Sequence, residues 1–117
     1  MRSISIQIQP DLSPNIDMEV VANEFLAIAT MSELVVCHSF DSGEDDGSYF
    51  NYTFDAKKPL RLWHEIQSRL YENQELAAHM KKSSIATCSD EDSWDNYLLL
   101  FHFDPTVDLD SLDELLE

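Results

Sequence analysis

Tyr97–Asp104 reads Y-L-L-L-F-H-F-D and is the most apolar run of the chain. It follows an acidic stretch, Asp90-Glu91-Asp92-Ser93-Trp94-Asp95. An apolar, aromatic-rich run of eight bounded by turn-type residues reads as a buried strand rather than a helix. Tyr52-Thr53-Phe54-Asp55 echoes Phe101-His102-Phe103-Asp104, and each lies downstream of an acidic stretch and, before that, of a cysteine. Two strand pairs, each preceded by a helical pattern, are therefore the frame on which the rest is placed.

Working outward, Ser3–Gln9 (S-I-S-I-Q-I-Q) alternates without a fault and puts Ile4, Ile6 and Ile8 on one face of a half-buried strand. Pro10 and Pro14 close it, with Ser13 or Asn15 as the expected cap of a helix over Asn15–Ser32. Met18, Val21, Ala22, Phe25, Ile28 and Ala29 make its apolar stripe. Leu34–Phe40 and Ser48–Asp55 read as a hairpin whose connection, 41–47, holds both glycines of the chain. Pro59 opens a second helix that runs to about Lys82, with a break expected near Asn73 where the apolar period slips. Ser84–Cys88 is a short strand. Thr106–Glu117 places Leu109, Leu112 and Leu116 on one side of a short amphipathic helix with several acids and no base.

The order β-α-β-β-α-β-β-α predicts an α+β fold: an antiparallel sheet with two helices on one face, ferredoxin-like in its first six elements, plus a short C-terminal helix. Residues 1–105 form the predicted single domain and 106–117 an acidic tail. A chain of 117 residues buries roughly two thirds of its unfolded surface, enough to fold without a disulfide or metal.

Charge is the strongest compositional feature: seven Lys+Arg against 23 Asp+Glu, or −16. Residues 1–56 hold one base and ten acids, residues 57–82 six bases and three acids, and residues 83–117 ten acids with no base. Such a potential repels nucleic-acid phosphates and anionic membranes and attracts cationic proteins. No stretch approaches the ~20 apolar residues of a membrane span, and two cysteines make no disulfide framework, so the expected compartment is the cytoplasm.

Catalytic and cofactor chemistry finds no support in the motifs. Phosphate-cradling loops need several glycines at a strand-to-helix turn, and both glycines lie in one hairpin. Neither acidic stretch meets the EF-hand spacing, because position 6 is Asp46 when counted from Asp41 and Asp95 when counted from Asp90. Cys37, His38, His64, His79, Cys88 and His102 contain no zinc-type pair, and Cys37 and His38, as strand neighbours, should face opposite ways. No enzyme activity, cofactor or metal is expected.

What remains is the acid. Acidic loops commonly do no more than keep a small protein soluble. Against that stand their concentration in 41–46, 90–95 and the C-terminal segment, and the placement of Trp94, a residue type favoured at binding hot spots. In size, acidity and absence of catalytic motifs the chain resembles the small immunity and antitoxin proteins that block basic toxins, a likeness of composition alone. The expected function is protein–protein interaction: an inhibitor that neutralises a basic partner, such as a nuclease toxin. Asp41, Glu44, Asp45, Asp46, Asp90, Glu91, Asp92, Trp94 and Asp95 are its contact residues. The competing readings are a ligand-binding or catalytic domain with a sheet-face pocket using His38, His102 or Cys88, and a self-associating module joined through an exposed sheet edge or the leucine-rich tail.

Overall fold

The structure, a computed structural model, describes residues 2–31, 33–44, 47–89 and 97–110. Five antiparallel strands form one sheet: β1 (Arg2–Ile8), β2 (Cys37–Glu44), β3 (Ser48–Ala56), β4 (Ser84–Ser89) and β5 (Tyr97–His102). Their spatial order is β2-β3-β1-β4-β5. Three helices, α1 (Met18–Ala29), α2 (Pro59–Ile66) and α3 (Ala77–Ser83), complete a mixed α+β fold.

The alternation of β1 explains its central place. Ile4 lies opposite Phe54 and Cys88, Ile6 opposite Tyr52 and Ala86, and Ile8 opposite Phe50 and Ser84. All three isoleucines are fully buried and share one core with Val21, Phe25 and Ile28 of α1, Leu62, Trp63 and Ile66 of α2, and Met80 of α3. The other residues of β1 sit on the second sheet face, beside polar neighbours such as Thr53 and Thr87. One face carries the helices and the other carries hydroxyls and amides: Ser5 and Thr53 hydrogen-bond at 2.7 Å, and Asn51 Nδ2 donates to Asp41 at 3.0 Å.

The helix over 57–82 is interrupted more extensively than the pattern predicts. After α2 the chain widens into a π-type turn, Gln67–Tyr71, closed by the Glu72 amide donating to the Gln67 carbonyl at 2.9 Å. α3 begins only at Ala77. The wider turn buries Leu70 and Tyr71, and Tyr71 meets Trp63 edge-on at 5.6 Å while exchanging a 2.6 Å hydrogen bond with Ser84. Burial pushes the Tyr71 phenol well above its ordinary pKa. Arg69, in the same turn, lies 3.5 Å from Glu24 on α1 and 3.6 Å from Glu65 on α2.

The boundaries of α1 and β2 differ most from the sequence reading. α1 starts at Met18 because Asp17, not Ser13 or Asn15, is the cap: its Oδ1 accepts the Glu19 and Val20 amides at 3.0 and 3.3 Å. Asn15 has φ 77°, outside any helix. β2 is shifted toward the acidic residues, running from Cys37 to Glu44 rather than Leu34 to Phe40. The apolar Leu34-Val35-Val36 looks like a strand, yet it is the connection that tucks Val35 into the core, with the Leu34 and Val35 amides both on the Met31 carbonyl.

The C-terminal segment departs from the expected helix as far as it is described. Residues 106–110 form a turn, a bend and a stretch without regular structure, begun by Asp104 Oδ1 accepting both the Thr106 amide (2.9 Å) and its hydroxyl (2.7 Å). Side-chain capping of this kind competes with helix formation. Asp110 then clasps the outer side of β5: Oδ2 accepts the Leu99 amide at 2.6 Å, and the Asp110 amide donates to the Leu99 carbonyl at 2.9 Å. The remainder of the predicted helix, 111–117, lies outside the described residues.

Candidate functional site: the outer strand β2 and its groove

A five-stranded sheet has two edges, and here they are treated differently. The β5 edge is engaged at Leu99 by Asp110. The β2 edge is open among the described residues: there its residues pair only with β3, and seven of the eight are exposed. An open strand presents unpaired backbone donors and acceptors, which natural proteins normally shorten, cover or charge.

Strand geometry sends alternate side chains of β2 to the two faces. On the helix face, Phe40 meets the rings of Tyr52 at 5.0 Å and Phe50 at 6.2 Å yet remains 54% exposed. α1 covers β3, where Phe25 stacks on Tyr52 at 3.9 Å, but stops short of β2. The gap is a shallow apolar groove of about 160 Å³ lined by Phe25, Leu26, Ala29, His38, Phe40 and Phe54. Leu26, on its rim, is 61% exposed.

The other face of β2 is polar and hydrogen-bonded. Cys37 Sγ donates to Asp55 Oδ2 at 2.7 Å, and Ser3 Oγ donates to the second oxygen of the same carboxylate. The two bonds, Cys37 first, hold Asp55 below the usual carboxylate range; in return, donation to Asp55 pushes the Cys37 thiol above its usual value. Cys37 is exposed, and its partner favours the thiol over the thiolate, the nucleophilic form. Cys88, by contrast, is buried in the core.

Of the residues assigned to partner contact, Asp41 and Glu44 stand exposed on β2, Asp41 accepting from Asn51. Asp45, Asp46, Asp90, Glu91, Asp92, Trp94 and Asp95 lie outside the described residues. Both described acids belong to the strand itself, not to a loop, because β2 extends to Glu44. Sequence reasoning missed Phe40, Leu26 and His38 as a unit. Leu26 falls just off the stripe of α1, and only the helix-on-sheet packing shows that it is left exposed among the described residues.

The groups of the pocket reading are not brought together. His38 lies on the edge strand β2 and His102 on the opposite edge strand β5, four strand spacings away, or roughly 19 Å. Cys88 is in the core. His102 accepts the Asp104 amide on Nδ1 at 2.9 Å and lies 4.5 Å from the Phe103 ring. Ser13 and His79 make a 2.6 Å pair in which the buried Ser13 hydroxyl holds the chain after β1 against α3. Among the described residues no group of three His, Cys, Asp or Glu side chains converges on a point. The described buried polar residues are four serines, so no described carboxylate sits in the desolvated setting that tunes an acid–base catalyst.

No family model, curated protein or solved structure matches this chain.

Proposed function

We propose that this is an acidic protein-binding domain that neutralises a cationic protein partner, in the manner of an immunity protein or antitoxin acting on a nuclease toxin. The observation that carries the reading is that every described carboxylate lies outside the buried core, while the acids Asp41 and Glu44 occupy the open outer strand. The bases of the chain are confined to residues 57–82 apart from Arg2. Separated charge of this kind steers encounter with a partner of opposite sign and sets register on contact, more than it adds affinity. Asp45 and Asp46, next along the chain, extend the same acidic run, and Asp90, Glu91, Asp92, Trp94 and Asp95 form the second contact segment of the proposal. We further propose a ferredoxin-like core of β1 to β4 extended by β5, a relation supported by the order β4-β1-β3-β2 within the sheet. Fold alone does not select the function.

The reading is tested by capture from a lysate with the wild type and with a variant carrying Asp41→Lys, Glu44→Lys, Asp45→Lys and Asp46→Lys. The expected result is recovery of basic proteins by the wild type, weakening steeply between 50 and 300 mM salt, and its loss in the variant. Unchanged recovery by a variant that melts like the wild type refutes it.

A further inference from the structure

We propose that β2 receives its partner as an added antiparallel or parallel strand, and that this partner strand alternates apolar and basic residues. The inference rests on the binding reading above and specifies how the site recognises its ligand.

Three observations converge on it. First, β2 is a full eight-residue strand whose outer side is unpaired among the described residues, whereas the β5 edge is engaged by the chain's own Asp110. Main-chain hydrogen bonding along such an edge is a general mode of peptide capture. Second, the two faces beside that edge differ in chemistry. A strand laid against β2 would send alternate side chains toward the groove of Leu26, His38 and Phe40, where apolar groups belong. The intervening side chains would emerge on the face of Asp41, where cationic groups belong. Third, the charge excludes the commonest occupant of an open edge, a second copy of the same chain. Pairing two copies would bring Asp41 and Glu44 of each against a molecule that itself carries −16. The edge is thereby closed to itself and open to a strand of opposite charge.

The probes are two end-blocked octapeptides of one composition, alternating Val-Lys and the block sequence of four valines followed by four lysines. Two further versions of the alternating peptide carry N-methyl groups on its odd or on its even amides. Binding is read by chemical-shift changes on the isotope-labelled protein. We expect the alternating peptide to bind at least ~10-fold more tightly than the block isomer, with shifts centred on Phe40, Asp41 and Leu26. One N-methylated version should lose binding ~10-fold or more while the other keeps it, because only alternate amides of an added strand face β2. Phe40→Ala should remove the preference for the alternating sequence without unfolding the protein.

Equal, salt-sensitive binding of both isomers, indifferent to N-methylation, overturns strand addition and leaves the charge-based reading standing. No binding by either isomer at low salt overturns both. A concentration-dependent dimer with shifts along β2 in the absence of peptide overturns the exclusion of a second copy.

Discussion

Phe25 and Phe40 are the same residue type facing the same aromatic, Tyr52, from a helix and from an edge strand, and truncating each to alanine should give very different results. Phe25 is 2% exposed, stacked at 3.9 Å on Tyr52 and at 5.8 Å on Phe54. Removing it leaves a cavity between α1 and the sheet, at a cost of about 3–5 kcal/mol. Phe40 is 54% exposed, and its ring contacts are made at the rim. Full burial of such a side chain is worth roughly 1.5–3 kcal/mol, and Phe40 keeps about half of that, so Phe40→Ala should cost about 1 kcal/mol. At about 4 °C per kcal/mol for a chain of this size, the melting temperature should fall by about 12–20 °C for Phe25→Ala and about 4 °C for Phe40→Ala. Urea unfolding followed by tryptophan fluorescence measures both, with Trp63 (1% exposed) as reporter in a Trp94→Phe background. If the two substitutions cost the same within about 0.5 kcal/mol, Phe40 is a core residue and the groove is not a free surface.

Four further outcomes follow from the geometry. Gly47 has φ +127°, and a Cβ there would lie 2.9 Å from Asp11 Oδ2, so Gly47→Ala should destabilise by about 1–3 kcal/mol in the same urea assay. At pH 8, Cys37 should react slowly with a thiol reagent despite its exposure, and Asp55→Asn, which removes the charge that holds the proton on sulfur, should speed it. The pH dependence runs in opposite directions for the two partners. Asp55, depressed in the fold, contributes stability that is present above its unfolded pKa near 3.8 and is lost as pH falls through its lower folded value; Cys37, raised in the fold, contributes below 9.0 and loses its contribution as pH rises through its folded value. Asp110→Ala should accelerate hydrogen exchange of the Leu99 amide, which Asp110 now accepts at 2.6 Å, and leave the exchange of β1 unchanged.

Much of this protein was readable from side-chain periodicity. The perfect alternation of Ser3–Gln9 placed Ile4, Ile6 and Ile8 in the core without reference to any partner, because a strand has only two faces and burial selects one. The apolar stripe of α1, the proline opening α2 and the β3 strand were legible for the same reason: local pattern and burial agree. The charge imbalance was likewise a property of composition alone.

The outer strand was not. C-H-S-F-D-S-G-E carries little apolar signal because it packs on almost nothing, so its strand character comes from hydrogen bonds to β3 and not from burial. Leu34-Val35-Val36 drew attention away from it, since an apolar connection and an apolar strand look alike until the sheet shows where the hydrogen bonds go. Which edge the described residues engage, which they leave open, and that Leu26 and Phe40 border one groove all depend on residues far apart in sequence meeting in space. Composition dictated an acidic protein with a conventional core; only the packing of α1 over β3, one strand short of the edge, decided where that protein has a surface to offer.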